Sequence, residues 1–309
     1  MAVTPRYPTD GGLRRAINDR ITREAQARKR PKAELHREFF MQRLLAKVFR
    51  DPAGAWILKG GTGLLVRLPG ARHSEDLDLL HPQTSLDQAF EELRGLVEVT
   101  GPRDRFTFRL AVRERQEDVW KLHATPYLGA HGLQHFPIDL TAGRQLVGEI
   151  DRVAPQQIIE IDDLDPPPAF SCYPLADQIA DKLAAMYEFH GPDRRPSTRW
   201  RDLADLLLII DNFAFDAAST CTALDKQREC REALELPAAV HAPGPRWEAE
   251  YPQLAAATIL PAALHRLDEA LTVLGRCVNP LLNGELTEGR WNPESSTWDP
   301  ATAPVRVGG

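Results

Sequence analysis

WILKGGTGLLVRLPGARHSEDLDLLH, residues 56–81, is the stretch from which the fold is predicted. It opens with the apolar run 56–58, which is typical of a short buried strand. After Lys59 come two glycines and Thr62, where the chain can turn and bring backbone N–H groups close to a ligand. Residues 63–68 predict a short helix that Pro69 ends. A glycine turn that leads into a helix favours phosphate, because unpaired N–H groups and the helix dipole both attract anions.

Acids and apolar residues alternate in the second half of this stretch, over residues 75–80, which predicts a strand with one wet face. Asp76 and Asp78 are two positions apart, so both carboxylates leave the same side of that strand. Mg²⁺ prefers oxygen ligands and commonly takes one or two carboxylates together with substrate phosphates. The alternative is an exposed edge strand whose acids only keep it soluble, and the glycine turn makes the metal interpretation the stronger one.

A further acid interrupts the apolar strand predicted over residues 136–141, FPIDLT, at Asp139. An ionised carboxylate in such a strand needs a partner, because an unpaired buried charge is costly. A salt bridge and a position at the end of the strand are the alternatives to a place in an active site.

Composition excludes several classes of protein. The chain has 309 residues, 43% hydrophobic and 27% charged, which is typical of soluble globular proteins. No apolar run approaches the ~20 residues that cross a bilayer, and the N-terminus lacks an apolar signal core, so we expect a cytoplasmic protein. The four cysteines form no C-x-x-C pair and are expected to be reduced.

Charge is distributed unevenly along the chain. Residues 1–50 hold thirteen Lys and Arg against five acids, a net +8, whereas the remainder carries −14. Two helices are predicted there, over 13–30 and 32–49. A basic segment on an acidic body is a candidate nucleic-acid surface, and a well-solvated amphipathic helix explains it equally well.

The strand pattern ends near residue 160. The segment 162–174, with four prolines, predicts a crossing between domains. Helices are predicted beyond it, over 175–189, 200–213, 217–235 and 252–277, followed by a polar tail rich in Pro and Gly. We therefore expect an α/β domain over residues 1–160, a small mixed sheet with helices, and a mainly α-helical domain over 161–309.

The two runs Leu58–Thr62 (LKGGT) and Arg72–Leu79 (RHSEDLDL) resemble the nucleotidyltransferase signature of the DNA polymerase β superfamily. More narrowly, they are similar to the AbiEii/AbiGii toxin family, which includes the mycobacterial MenT proteins. The resemblance extends over about residues 34–211 and implies the polymerase β-type nucleotidyltransferase fold. One departure is Thr62, which stands where the superfamily has serine and preserves the hydroxyl.

The resemblance also implies roles for individual residues. Asp76, Asp78 and Asp139 would be catalytic and would bind Mg²⁺ or Mn²⁺, with Lys182 and Asp202 as further catalytic residues. Lys182 would neutralise triphosphate charge, and Asp202 would orient it or contact the nucleotide. Taken alone, Lys182 would be a snorkelling or surface lysine. Asp202 and Asp205, one helical turn apart, would be a capping or solvent-facing pair. The residues expected to bind nucleotide are Lys59, Gly60, Gly61, Thr62, Arg72, Ser74, Lys182 and Asp205. Ser74 matches a serine that a partner antitoxin phosphorylates in some members.

The activity that the resemblance implies is transfer of nucleotides from NTP to the 3′ end of tRNA, which would block translation. The expected partners are NTP, the tRNA acceptor end and a cognate antitoxin, with no membrane. The basic helices and the loop 194–201 are the expected RNA contacts. Two alternatives remain: transfer to a protein or small-molecule hydroxyl, and a catalytically silent binding module.

Overall fold

A computed structural model describes residues 5–101 and 103–300. The chain forms two compact units, the sheet unit (residues 1–69, 73–145 and 151–173) and the helical unit (residues 70–72, 146–150 and 174–309). The sequence places a domain boundary at residue 160, whereas the sheet unit continues to Tyr173. The reason is a strand at Phe170–Cys172, inside the proline-rich segment expected to lack regular structure, which pairs with the central sheet.

The sheet unit contains four helices and eight strands within its described residues. They are α1 (Asp10–Arg28), α2 (Lys32–Val48), β1 (Ile57–Lys59), α3 (Gly60–Arg67), β2 (Leu77–His81), α4 (Leu86–Val97), β3 (Phe106–Arg115), β4 (Trp120–Leu128), β5 (His131–Gly132), β6 (Phe136–Ala142), β7 (Asp151–Val153) and β8 (Phe170–Cys172).

The strands of this unit form one mixed sheet in the order β3-β4-β6-β2-β1-β8-β7, with β5 added beside β4. β2 runs parallel to β6 and antiparallel to β1, and β1 runs parallel to β8. The mixed α/β class expected from the sequence is confirmed.

One face of the sheet packs into a single apolar core with α1, α2 and α4. Leu77 and Leu79 of β2 and Ile138 of β6 are fully buried there. Asp78 and Asp139 occupy alternate positions on the same strands, so these two acids lie on the opposite face. Ser85 caps α4 in a reciprocal capping box with Gln88.

The helical unit contains these described elements: α5 (Leu175–Tyr187), α6 (Trp200–Asn212), α7 (Ala217–Cys230), α8 (Trp247–Ala255), a 3₁₀ helix (Ala262–His265), α9 (Leu267–Leu282), β9 (Arg290–Asn292) and β10 (Thr297–Asp299). The single helix predicted over 252–277 is wrong. Pro261, which cannot donate a backbone hydrogen bond, lies between α8 and the 3₁₀ helix, and α9 starts only at Leu267.

The polar tail is fastened to this unit by two tryptophans of the β9–β10 hairpin. The indole of Trp291 is 2% exposed and donates to the carbonyl of Ile210 at 2.7 Å. The indole of Trp298 donates to the carbonyl of Cys277 at 2.9 Å. The last residues of the tail, 301–309, lie outside the described residues. In the described parts of the chain, no helix has the length and apolar character to cross a bilayer.

A buried ion cluster in the sheet unit joins α2 to the segment before β3. Asp104 accepts from Arg43 at 2.8 Å and lies 3.6 Å from Lys47, and all three side chains are at most 7% exposed. The ammonium of Lys47 also donates to the carbonyl of Val99 at 2.8 Å. Burial lowers the pKa of Lys47, and Asp104 opposes that shift.

We expect Asp104→Ala to destabilise the sheet unit by about 3–5 kcal/mol, because it leaves two buried cations without their carboxylate. Urea unfolding followed by circular dichroism measures this loss. Glu117→Ala, which removes an exposed acid from the β3–β4 turn, is the matched control and should change stability by less than ~0.5 kcal/mol. Equal effects of the two substitutions would contradict the structural role of Asp104.

Candidate active site

β1 leads directly into α3 through Gly60, whose φ of +62° lies in the left-handed region that favours glycine. A Cβ on this residue would collide with the carboxylate of Asp78. A side chain at position 60 is therefore excluded twice, by backbone conformation and by the close approach of Asp78. Gly60 therefore allows the carboxylate of Asp78 to lie close to the start of α3.

A row of four charged residues crosses the polar face of the sheet. The strand pairings place Lys59 of β1 opposite Asp78 of β2, Asp78 beside Asp139 of β6, and Asp139 opposite Lys121 of β4. Directly paired residues point to the same face of a sheet. We call these four residues the charged row; its two acids are half-buried and adjacent, with one lysine at each side.

Asp139 has an environment that favours its protonated form. Burial raises the pKa of this carboxyl, and the charge of Asp76 raises it further. Lys121 acts in the opposite direction and does not cancel the shift. A carboxyl group whose pKa is raised in this way is a better proton acceptor than an ordinary exposed aspartate.

Asp76 lies just before β2 and is held by two hydroxyl groups. Ser74 donates from Oγ to its carboxylate at 2.8 Å, and Thr62 donates from Oγ1 to its backbone carbonyl at 2.8 Å. Both hydroxyl-bearing side chains are buried, at 4% and 6% exposure. The first turn of α3 and the start of β2 are thus tied together through Asp76.

These carboxylates suit a divalent metal in type and only partly in arrangement. Carboxylate oxygen is the ligand that Mg²⁺ and Mn²⁺ prefer, and Asp78 and Asp139 are neighbours on adjacent strands. In residues 5–101 and 103–300, however, no group of three or more His, Cys, Asp or Glu side chains is arranged to hold a metal ion. The fit is therefore to a site of one or two carboxylates that substrate phosphates complete, and a three-carboxylate site stays a prediction.

The start of α3 offers backbone donors to an anion. Lys59 is the N-cap and its side chain makes no capping hydrogen bond to the helix. Its ammonium instead lies 4.7 Å from the ring centroid of Tyr173. Gly61 and Thr62 belong to the first turn, where backbone N–H groups lack intrahelical acceptors. This geometry can bind phosphate.

The other predicted site residues form a separate cluster inside the helical unit. Lys182 of α5 donates to Asp202 at 2.9 Å and to Asp205 at 2.6 Å, both on α6. Arg72 binds both oxygens of Asp205 at 2.9 Å. Arg199 donates to Asp202 at 2.7 Å. Three cations therefore surround two carboxylates.

This cluster keeps its members ionised. Burial opposes the charge of Lys182, but the two carboxylates more than offset it and raise its pKa. Burial likewise opposes the charge of Asp202, and Lys182 with Arg199 lowers its pKa nonetheless. Lys182 is 7% exposed and Arg199 has a 60% exposed side chain, so Arg199 is the cation of the cluster most accessible to a ligand.

The structure thus brings the predicted site residues together in two groups. The sheet unit holds Lys59, Gly60, Gly61, Thr62, Ser74, Asp76, Asp78 and Asp139, and the helical unit holds Arg72, Lys182, Asp202 and Asp205. Sequence reasoning missed Lys121. The alternation in residues 119–128 signals that it lies on a wet strand face, but its place opposite Asp139 depends on strand pairing.

Two solved structures align with most of this chain. MenT4, a nucleotidyltransferase toxin from Mycobacterium tuberculosis, aligns over 86% of this chain and 89% of its own at 18% identity, with a TM-score of 0.56. JHP933 from Helicobacter pylori aligns over 82% of this chain and 95% of its own at 14% identity, with a TM-score of 0.43. The likeness to MenT4 shows a shared fold.

Comparison with curated protein sequences finds no match. The sequence profile described as the nucleotidyl transferase AbiEii toxin of type IV toxin–antitoxin systems matches residues 43–273. That range spans three quarters of the chain and includes every predicted site residue. The chain therefore belongs to the AbiEii family of nucleotidyltransferase toxins from type IV toxin–antitoxin systems.

Proposed function

We propose that this toxin transfers a nucleotide from NTP to the 3′-terminal hydroxyl of tRNA, which blocks aminoacylation and hence translation in the cytoplasm. The observation that supports it most is the pairing of Asp78 with Asp139 beside Gly60. It sets two acids next to the start of α3, so one face of the sheet can serve both a hydroxyl and a phosphate.

The chemistry assigned to this face is attack of the hydroxyl oxygen on the α-phosphorus of the NTP. The new O–P bond forms as the bond to the β-phosphate oxygen breaks, and pyrophosphate leaves. Asp139 accepts the hydroxyl proton, a role that its raised pKa suits. Lys59 and the N–H groups of Gly61 and Thr62 hold triphosphate oxygens.

Mg²⁺ or Mn²⁺ would be held by Asp78 and Asp139, with Asp76 as the third carboxylate. When bound, such an ion neutralises phosphate charge and lowers the pKa of an attacking hydroxyl. The like charge that Asp76 places near Asp139 makes the site receptive to a cation.

Antitoxin control is proposed to act through Ser74. Its hydroxyl touches the carboxylate of Asp76, so a phosphate on that oxygen would add two negative charges beside a metal ligand. Because Ser74 is only 4% exposed, its modification requires the loop between α3 and β2 to open.

Two alternatives keep the fold and change the outcome. In one, the acceptor is a protein or small-molecule hydroxyl, and in the other the chain binds nucleotide without transferring it. The closely placed acids and the raised pKa of Asp139 favour transfer, and the acceptor is open to direct test.

The protein is incubated with Mg²⁺ and each α-³²P-labelled NTP, with either purified tRNA or a protein extract as the acceptor. Label is expected in the tRNA. Asp76→Ala should reduce labelling at least ~100-fold, the magnitude expected when a charge-stabilising group is lost from a transition state. Asp87→Ala, at an exposed position of α4, should label like wild type. Undiminished labelling by Asp76→Ala would refute this site, and label in protein alone would assign the first alternative.

Asp139→Asn should raise the melting temperature of the metal-free protein while it abolishes transfer. Because the folded-state pKa of Asp139 is raised, ionised Asp139 costs stability above that pKa. The gain from asparagine should therefore grow as pH rises through the raised pKa and vanish below the ordinary value of 3.8. Thermal unfolding in EDTA between pH 4 and 8 measures it, with Asp87→Asn as control. A lower melting temperature of Asp139→Asn at neutral pH would contradict the destabilisation assigned to ionised Asp139.

Lys182→Met should destabilise the helical unit by about 3 kcal/mol, the lower end for a broken buried ion pair, because Arg72 and Arg199 still neutralise the two acids. Urea unfolding measures this loss. The role that the family resemblance implies for Lys182, neutralising triphosphate charge, is tested separately, by NTP affinity at a temperature where the variant stays folded. A weakening of tenfold or more supports that contact, and unchanged affinity restricts Lys182 to a structural role.

A further inference from the structure

The polar face of the sheet continues beyond Asp139 onto β4 and β3. Lys121 is paired with Asp139, and His123 and Tyr127 follow on the same side of β4 because alternate residues share a face. Arg109 lies opposite Thr125, which places it on this side of β3. Arg109, Lys121 and the nearby Arg113 are exposed. We call this surface the β3–β4 face.

Two pairs of planar side-chain groups lie on the β3–β4 face. The guanidinium of Arg109 lies 4.5 Å from the ring centroid of Tyr127. The rings of His123 and His135 stack at 4.4 Å with an interplanar angle of 21°. Burial, His135 and Arg113 together lower the pKa of His123, which favours the neutral form of this ring. Stacked planar groups on an exposed sheet bind unstacked nucleobases.

Charge on this face complements a phosphate backbone. Arg109 and Lys121 lie on this face, and the charge of Arg113, at the bulge between Val112 and Glu114, acts on His123. Lys121 is paired with Glu114 at 3.1 Å and lies opposite Asp139, so the two arginines are the cations that remain for phosphate. The chain as a whole carries a net charge of −6. The cations of the β3–β4 face are therefore a local concentration of positive charge next to the acids of the charged row.

The N-terminal basic segment is a weaker candidate for the same partner. Six of its thirteen cations form ion pairs within the sheet unit: Arg6, Arg28, Arg30, Arg37, Arg43 and Lys47. Arg43 and Lys47 are buried, so they cannot contact RNA. Ion pairing therefore reduces the positive charge that the described part of this segment can present to RNA.

We propose that the β3–β4 face binds the single-stranded 3′ segment of the RNA acceptor. The proposal rests on the function proposed above, and it places the terminal hydroxyl at the Lys121 end, one strand from Asp139. From Lys121 to Tyr127 the face runs about 20 Å, six residues at ~3.3 Å. Sheet surfaces of this kind stack about two or three bases. Arg109 and Arg113 contact the intervening phosphates.

Charge recognition is tested by fluorescence anisotropy with a labelled single-stranded RNA 12-mer over a range of salt concentrations. Each lost phosphate contact flattens the slope of log K against log salt by about 0.7 for a single strand. Arg109→Gln/Arg113→Gln should therefore flatten it by about 1.4. Arg14→Gln/Arg23→Gln, which removes two exposed cations from α1, is matched in charge and should leave the slope unchanged.

Stacking is tested at Tyr127. Tyr127→Leu should weaken binding of the 12-mer about tenfold, because the stacking of one base is lost. The salt slope should not change, because all phosphate contacts are kept. Tyr127→Phe keeps the ring and should bind like wild type. A blunt RNA duplex should bind both variants and wild type equally, since its bases are not available to stack.

The outcomes separate this proposal from the proposed function. A flattened slope in the α1 variant instead of the β3–β4 variant overturns the proposal, as does failure of the wild type to bind the 12-mer. If tRNA is labelled with an unchanged KM for tRNA in the β3–β4 variants, the proposal fails and the function stands. If the β3–β4 variants lose RNA binding but the wild type transfers label only to protein, the proposed transfer to tRNA is wrong. The assignment of the β3–β4 face to RNA binding is then still supported.

Discussion

Parallel pairing of β2 with β6 places Asp78 and Asp139 side by side on the polar face, above a core formed by Leu77, Leu79 and Ile138. Adjacent like charges repel, and the charge of Asp76 adds to the effect of burial in raising the pKa of Asp139. A slip of one residue would separate Asp78 from Asp139 but would turn the leucines to the polar face and the acids into the core. Burial of the apolar face therefore holds the acids together, and the charged row depends on that register.

The two units use carboxylates in opposite ways. In the sheet unit, burial and Asp76 raise the pKa of Asp139, which leaves a site that gains from a proton or a cation. In the helical unit, Lys182 and Arg199 lower the pKa of Asp202, and three cations already match two acids. The arrangement in the sheet unit suits a reaction in which a proton or a metal ion binds and leaves. The arrangement in the helical unit suits a fixed structural role. Residue type alone does not distinguish them, because aspartate serves in both.

Local chemistry explains where sequence prediction succeeded and where it was wrong. The apolar run before Lys59, the strand over residues 136–141 and the helix over 200–213 depend on neighbours in the chain, and the structure has each of them. β8 was missed because three residues among prolines carry no periodic signal, and only the open edge of β1 makes them a strand. The helix predicted over 252–277 was wrong because apolar spacing outweighed Pro261 in that prediction.

The sequence by itself determined the family, the α/β class and the glycine turn followed by two acids at alternate positions, because these are encoded in contiguous residues. Only the tertiary structure decided that Lys121 stands beside Asp139, that Lys182 is enclosed by two carboxylates, and that Arg43 and Lys47 of the basic segment are buried against Asp104. These depend on strand register and on helix packing between segments far apart in the chain. Such pairings are set by how apolar faces are buried, which no local pattern records.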